Sequence, residues 1–385
     1  MEMSKVAQNV QASGVRRMFE MASQYENVVN FAIGEPGFTT PEHISKVAMD
    51  YLLQGRTKYA PNAGVPELRQ AVARKLKREN NITCDPDKNL VITFGAVEAL
   101  HLTMMATVNP GDEVIVPCPA WPDYYGQIEM AHAVPVRAML TEKNQFKMTA
   151  DVIRPLLSDK TRLVIINSPH NPTGAVLSKE ELQGIVDLLA GRNLFVLSDE
   201  PYEHIIYDGA KHISIGSLGG LEDQLVTVNT MSKTYAMTGW RVGFACGPEK
   251  LIADLIKMHE VVGSCVNEAL QLGAAYAYDN GDADIRRMVA HYDANRKLVV
   301  EGLNRLKGIT CMMPKGAFYA FPNITGLHKT SEQVAEDLIR DIQVITAPGT
   351  AFGPAGEGYL RLSYANDRAS IVEALKRMEA YFGLK

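Results

Sequence analysis

Short, nearly continuous apolar runs alternate with segments of helical periodicity from about residue 65 to residue 275. Six such runs predict buried strands, at residues 90–93, 113–116, 163–166, 195–197, 225–228 and 242–245. Runs without a polar alternate position are typical of strands that are covered on both faces. Strands that alternate with helices predict an α/β fold with a mostly parallel, doubly wound sheet.

The pattern changes along the rest of the chain. Residues 179–189 are amphipathic, and Ser178 with Glu181 matches a capping box, so this stretch predicts a helix that crosses between two strands. Beyond residue 280, a long polar helix over 285–306 precedes the segment 316–321 and a further strand and helix. This order is typical of an α+β portion that follows the parallel sheet.

Polar residues follow several of the predicted strands and are the candidates for chemistry. Asp199 and Tyr202 follow one apolar run, and Asn171 follows another. Because ligands of open α/β sheets lie beyond the carboxyl ends of the strands, we expect these side chains to converge with Lys233 on one crevice. Lys233 has hydroxyl neighbours, and Arg241 lies further along. An amine that can form a Schiff base beside phosphate-binding groups suits a carbonyl cofactor that carries a phosphate.

Composition and charge narrow the possible classes of protein. With 385 residues the chain is long enough for two domains, and its 46% hydrophobic and 22% charged residues are ordinary for a globular protein. The net charge of −5 disfavours a nucleic-acid partner. No run approaches the roughly 18 apolar residues of a membrane helix, and the N-terminus lacks a signal core, so we expect a cytoplasmic protein. The five cysteines and nine histidines show no disulfide framework and no metal-ligand spacing.

Eight short segments, in order along nearly the whole chain, resemble those of the class I/II aminotransferases, which are pyridoxal-phosphate enzymes of fold type I. Each segment is weak evidence by itself, but their common order in a chain of this length is specific. The segments are Gly34–Phe38, Tyr59–Gly64, Gly95–Leu100, Pro119–Pro122, Asn171–Gly174, Asp199–Tyr202, Ser232–Arg241 and Tyr359–Ser363.

The resemblance implies a pyridoxal 5'-phosphate site. Gly95, Ala96 and Val97 open a helix after a strand, where backbone N–H groups can face a phosphate. Arg241 supplies a positive charge for the same phosphate, and the hydroxyls of Thr230 and Ser232 are both candidate donors, between which the spacing does not decide. The remaining cofactor residues are Lys233 as the Schiff-base amine, Asp199 at the pyridine nitrogen, Tyr202 and Asn171 at the phenolic oxygen, and Trp121 stacked on the ring.

The resemblance also implies substrate and subunit contacts. Arg361 is the expected clamp for the substrate α-carboxylate, and Gly34 brings backbone close to the substrate. Asn171 and Trp121 are expected to contact the substrate as well. Tyr59 corresponds to a tyrosine that relatives extend to the partner's phosphate, so we expect a homodimer with active sites at the interface. Proline-rich residues 168–172 are expected to contain one or two cis peptide bonds.

The resemblance further implies two domains. The large cofactor-binding domain is expected over residues 46–280. The small domain is expected to combine residues 1–45 with residues 281–385.

Three functions fit these residues. In an aminotransferase, Lys233, Asp199 and Tyr202 would be the catalytic residues, and two half-reactions would move an amino group from an L-amino acid to a 2-oxo acid such as 2-oxoglutarate. A carbon–sulfur β-lyase on the same fold is the alternative, and a non-enzymatic sensor is disfavoured because all the charged site residues are present. Val97 stands where some dicarboxylate-using relatives carry a lysine, so we expect a neutral donor, aromatic or otherwise apolar.

Overall fold

The computed structural model describes residues 2–10 and 14–385. Its α-helices are α1 Lys5–Asn9, α2 Gly14–Ala22, α3 Glu42–Leu53, α4 Pro66–Asn80, α5 Gly95–Thr107, α6 Asp123–Met130, α7 Ala150–Ile153, α8 Lys179–Leu189, α9 Met231–Thr234, α10 Glu249–Gly263, α11 Glu268–Asn280, α12 Asp282–Arg305, α13 Ser331–Ile342 and α14 Arg368–Phe382. Its strands are β1 Val29–Asn30, β2 Leu90–Phe94, β3 Glu113–Cys118, β4 Val134–Met139, β5 Thr161–Asn167, β6 Phe195–Asp199, β7 Leu225–Thr230, β8 Val242–Cys246, β9 Tyr319–Ala320, β10 Val344–Ile345, β11 Ala347–Pro348 and β12 Leu360–Ser363.

A seven-stranded sheet in the order β2-β8-β7-β6-β5-β3-β4 dominates the fold. The pairs from β4 to β7 are parallel, whereas β8 runs antiparallel to both β7 and β2. The six predicted strands are all present in this sheet, so the predicted α/β class is confirmed. The sequence pattern did not mark β4, because this edge strand is largely exposed and contains Pro135.

The predicted crossover helix is α8, and it begins as the sequence indicates. The side chain of Ser178 accepts from the backbone N–H of Glu181, and the Glu181 carboxylate accepts from the Ser178 N–H. This reciprocal cap satisfies two backbone donors that the first helical turn leaves free. The predicted polar helix over 285–306 is α12, which begins three residues earlier at Asp282 and ends at Arg305.

Two apolar clusters cover the two faces of the seven-stranded sheet at β3, β5 and β6. One contains Ile115, Val164 and Val196 and continues into the C-terminal part of the chain. The other contains Val114, Leu163 and Leu197 and packs against α5 and α10. Successive residues of one strand alternate between the clusters, as the pleat requires for a sheet covered on both faces.

Two smaller sheets follow in the C-terminal part. β12 lies between β11 and β9 in an antiparallel sheet, and β1 pairs in parallel with β10. The N-terminal segment is therefore joined to the C-terminal part by backbone hydrogen bonds. None of the helices within residues 2–10 and 14–385 combines the length and the apolar character that a membrane span requires.

Candidate active site

A cavity of about 330 Å³ lies at the edge of the large sheet where β5, β6 and β7 end. Twelve of the fourteen predicted site residues line it: Gly34, Ala96, Val97, Trp121, Asn171, Asp199, Tyr202, Thr230, Ser232, Lys233, Arg241 and Arg361. Gly95 lies just behind this wall, and Tyr59 lies outside it with 88% of its surface exposed. The convergence expected at the carboxyl ends of the strands is therefore present.

Asp199 ends β6 as a deeply buried carboxylate. Its Oδ2 accepts a hydrogen bond from the Tyr124 hydroxyl, whereas its Oδ1 is buried without a partner among the described residues. Burial raises the pKa of Asp199 to about 7, against the opposing effect of the Tyr124 hydrogen bond. The side chain of Asn167 donates to the Asp199 carbonyl and fixes the backbone below it, at 2.9 Å. Oδ1 of Asp199 can therefore accept a hydrogen bond from a group bound in the cavity.

Lys233 lies on α9, one turn after the end of β7. Its Nζ donates to the carbonyl oxygen of Gly34 at 2.7 Å, so the amine reaches across the cavity. Burial lowers the pKa of Lys233 to about 8, even though nearby carboxylates attract the proton. About one-tenth of the amine is therefore neutral at pH 7, and the neutral form is what a nucleophile or a general base requires.

Backbone N–H groups and Arg241 form one corner of the cavity. Gly95 begins α5 with φ +71°, and a Cβ at this position would lie 2.5 Å from Nη2 of Arg241. Only glycine therefore allows the guanidinium to lie against this helix terminus. Arg241 is held by the carbonyls of Thr238 at 2.9 Å and Phe94 at 3.2 Å. A helix N-terminus beside a fixed cation is suited to an anion.

Arg361, which lies on β12, lines another side of the cavity. Its guanidinium lies 4.6 Å from the Tyr319 ring centre and 4.7 Å from that of Phe352. One Nη donates to the Ala32 carbonyl, and the other donates to Oδ1 of Asn171 at 3.3 Å. The Nε is buried without a partner in the described part of the chain. A buried guanidinium with spare donor capacity is suited to a carboxylate.

The loop before Asn171 has the predicted backbone. The peptide bonds Ser168–Pro169 and Asn171–Pro172 are both cis, in agreement with the sequence. The Asn167 side chain accepts from the backbone N–H of Asn171 at 3.0 Å. Asn167 thus connects the ends of β5 and β6 and positions two site residues at once.

Three lining residues that support the site were not singled out from the sequence. Tyr124 is bonded to Asp199, Asn167 is described above, and the Tyr319 hydroxyl lies 2.8 Å from the Tyr202 hydroxyl. Tyr124 follows Trp121 by one helical turn and Asn167 is the last residue of a buried strand, so position was a usable signal for both. Tyr319 reaches the cavity through the pairing of β9 with β12, which no local pattern predicts.

Behind Asp199, a polar cluster joins Glu200, Glu203 and His212, whose potential metal-ligand atoms lie within 4.8 Å of one another. Hydrogen bonds account for this cluster. Glu200 accepts from two serines and lies 2.8 Å from Nε2 of His212, and Glu203 is paired with Lys75. These contacts make the cluster an internal hydrogen-bonded network, in which Nδ1 of His212 is buried without a partner among the described residues.

Comparison with known proteins identifies the family. The model of aminotransferase class I and II matches residues 26–378. The aspartate aminotransferase of Pyrococcus abyssi is 42% identical over 98% of this chain and 98% of that protein. The aromatic-amino-acid aminotransferase 2 of Thermococcus litoralis is 39% identical, also over 98% of each. The crystal structure of the aromatic aminotransferase from Pyrococcus horikoshii OT3 aligns with a TM-score of 0.90 at 41% identity, over 94% of this chain and 98% of that chain.

The chain belongs to the class I and II aminotransferase family. Its fold is that of fold type I transferases, and its activity is that of an aminotransferase. The resemblance read from the eight sequence segments is confirmed. None of these relatives supports the β-lyase alternative.

Proposed function

We propose that the chain holds pyridoxal 5'-phosphate in this cavity and moves an amino group from a neutral, preferably aromatic, L-amino acid to a 2-oxo acid such as 2-oxoglutarate. The observation that carries the proposal is the convergence of an amine, a buried carboxylate and two guanidiniums on one cavity of about 330 Å³. The amine would react with the cofactor carbonyl, and the carboxylate would pair with the pyridine nitrogen. The two guanidiniums would bind the phosphate of the cofactor and the carboxylate of the amino acid.

The residues present fit the cofactor at both of its ends. The unpartnered Oδ1 of Asp199 is available to a protonated ring nitrogen. The first-turn N–H groups of Gly95, Ala96 and Val97 have no partner within α5, because the helix leaves its first donors free. Together with Arg241 they would hold the phosphate, and the side-chain-free Gly95 leaves room for the guanidinium.

Ser232 is the better candidate for the phosphate hydroxyl. The Thr230 hydroxyl lies 3.0 Å from the carbonyl of Val242 and accepts from the N–H of Ser232, so its bonding capacity is used within the loop. Among the described residues, the Ser232 hydroxyl has only the contact with Thr230, at 2.9 Å. In this contact the Thr230 hydroxyl donates and Ser232 accepts, so the Ser232 proton can be donated to a phosphate oxygen.

Lys233 is the proposed proton carrier. When bound, pyridoxal phosphate supplies a carbonyl that reacts with amines and a ring that withdraws electrons from the substrate Cα. With a pKa of about 8, Lys233 is about one-tenth neutral at pH 7, and this form can take the Cα proton and return it. The hydroxyl of Tyr202 and the amide of Asn171 would bind the phenolic oxygen. Trp121 would pack on the ring face and limit its tilt.

Arg361 would bind the substrate α-carboxylate. Its buried guanidinium already lies between two aromatic rings, so little side-chain freedom is lost on binding. The backbone at Gly34 closes the same side, where a Cβ would lie 2.6 Å from the Tyr319 hydroxyl. A side chain at residue 34 would therefore displace the Tyr319 hydroxyl, which contacts the Tyr202 hydroxyl.

The side-chain part of the cavity favours a neutral donor. The cations that line it are Lys233, Arg241 and Arg361, and each has a proposed role at another group. The remaining wall includes Val97, Leu100 and Trp121. Burying an apolar side chain against this wall contributes about 25 cal/mol per Å². An unpaired carboxylate there would cost several kcal/mol, so the second carboxylate of 2-oxoglutarate needs a polar partner from outside these residues.

A homodimer is proposed from the exposed surface. Tyr59 is 88% exposed, as are Val261 to 88% and Leu53 to 82%. The segments that carry Tyr59 and Val261 adjoin, since the backbone N–H of Ala60 donates to Sγ of Cys265, and a contiguous exposed apolar patch is typical of protein interfaces. A two-fold dimer would cover them and bring Tyr59 to the partner's phosphate corner. The division at residues 45 and 280 into two domains and the cytoplasmic location stay predictions.

Apoprotein titrated with pyridoxal phosphate tests the proposal. We expect a yellow holoprotein whose absorbance changes when phenylalanine or tyrosine is added, followed by recovery with 2-oxoglutarate. A matched series with aspartate measures the side-chain preference. Pyruvate and ammonia released without any oxo acid would indicate β-elimination and contradict the proposed reaction.

A further inference from the structure

The first turn of α5 rests on a buried pair of ionisable residues that the chemistry above does not use. Glu98 is 8% exposed and His259 is fully buried, at 0%. Nδ1 of His259, on α10, lies 2.9 Å from Oε1 of Glu98. The pair is therefore placed in the apolar layer directly behind the corner that carries Gly95 and Arg241.

The second oxygen of Glu98 holds the residue that starts the helix. Oε2 accepts from the backbone N–H of Phe94 at 2.6 Å, and Phe94 is the N-cap of α5. The carbonyl of the same Phe94 accepts from Nη2 of Arg241 at 3.2 Å. Phe94 is thus fixed at its N–H by Glu98 and at its carbonyl by Arg241, and it links the two.

Neighbouring glycines and rings pack closely against this segment. A Cβ at Gly243 would lie 2.5 Å from the carbonyl carbon of Gly95, and one at Gly263 would lie 2.3 Å from the Phe94 ring. The Phe94 ring also packs on that of His259, with ring centres 5.3 Å apart. The bonds of Glu98 therefore act on a segment that is closely packed against its neighbours.

We infer that Glu98 and His259 are positioning residues for the cofactor phosphate. Glu98 orients this segment so that the free N–H groups of residues 95–97 face the phosphate, and His259 fixes the Glu98 carboxylate through the 2.9 Å contact with Oε1. The inference rests on the proposed function, since it assumes that pyridoxal phosphate is the ligand.

The test compares two ligands that differ only in the phosphate. The dissociation constants of pyridoxal phosphate and of pyridoxal are measured on apoprotein by fluorescence titration. Removing a buried hydrogen bond to a charged group changes an equilibrium by about tenfold or more. We expect Glu98→Ala to weaken pyridoxal phosphate by about tenfold or more, while pyridoxal changes by about twofold or less.

Two further variants separate positioning from general stability. Glu98→Gln keeps an acceptor for the Phe94 N–H without a charge, so we expect it to retain most of the affinity. Thr103→Val is the matched control, because the Thr103 hydroxyl is buried on the same helix and, among the described residues, bonds only the Ala99 carbonyl, at 2.7 Å. We expect Thr103→Val to leave both dissociation constants unchanged.

The outcomes are distinct. Equal weakening of both ligands by Glu98→Ala, or unchanged binding of pyridoxal phosphate, overturns the positioning role. If Glu98→Ala does not fold, His259→Phe carries the test, since it leaves the Glu98 bond to Phe94 and removes the hydrogen bond that holds the other Glu98 oxygen. A phosphate-specific loss then supports the role, and no loss overturns it. Wild-type apoprotein that binds neither ligand would instead refute the proposed cofactor.

Discussion

Replacing Asp199 by asparagine should stabilise the apoprotein while it removes the function of the site. In the folded chain this carboxyl is buried beside Tyr124, and burial raises its pKa from 3.8 to about 7. A raised carboxyl pKa means that folding opposes ionisation. The contribution of Asp199 to stability is therefore complete below pH 4 and is lost as the pH rises from about 4 to about 7.

The size of the effect follows from the shift. One pKa unit corresponds to about 1.4 kcal/mol, so about three units make ionisation of Asp199 unfavourable by about 4 kcal/mol above pH 7. Asparagine has nearly the same shape, still accepts from the Tyr124 hydroxyl and carries no charge at any of these pH values. Between pH 5.5 and pH 8, the stability of the variant relative to wild type should increase by about 2 kcal/mol.

Urea unfolding of apoprotein at pH 5.5 and pH 8, at one fixed protein concentration, measures this difference. Asp50→Asn on the exposed face of α3 controls for the loss of one negative charge. Saturating pyridoxal phosphate is expected to stabilise wild type more than Asp199→Asn, because the carboxylate then has a partner. A difference between variant and wild type that does not depend on pH would refute the reasoning, since Asp199 would be ionised at both pH values.

Three further predictions concern the reaction and the assembly. Lys233→Ala is expected to abolish transamination while pyridoxal phosphate still binds; borohydride reduction and peptide mapping of wild type should label Lys233, and label on another lysine would contradict the assignment. Sedimentation is expected to show a dimer, with Tyr59→Phe weakening cofactor affinity by about tenfold for one lost charged hydrogen bond; a fully active monomer would exclude the shared site. In kcat/KM measurements phenylalanine or tyrosine is expected to exceed aspartate, and an aspartate preference of tenfold or more would show that the apolar wall at Val97 does not set specificity.

The sheet could be predicted from the sequence because its strands are buried on both faces. The runs at 163–166 and 195–197 are short and continuously apolar, and both are central strands of the sheet. The edge strand β4 was not predicted, because half of its residues are exposed and Pro135 lowers its strand propensity. Patterning thus detects burial, and it detects a strand only where burial is complete.

The candidate site could be predicted in part, and for a different reason. Asp199, Asn171 and Lys233 follow strands directly, so strand ends bring them together without further information. The sequence did not indicate a role for Glu98. Its partner His259 is distant in sequence, and the two meet only because α10 packs on α5. Supporting residues of this kind depend on tertiary contacts, which a single sequence does not contain.

The antiparallel direction of β8 limits where this chain can change its length. β7 and β8 form a hairpin in which Thr230 pairs with Gly243, so the connection between them delivers both Lys233 and Arg241 to the same edge. A parallel β8 would have needed a separate crossover to return a cation there. Inserting or deleting one residue in this connection would rotate the amine or the guanidinium away from its target. Loop length in this family should therefore vary elsewhere and stay constant between Thr230 and Gly243.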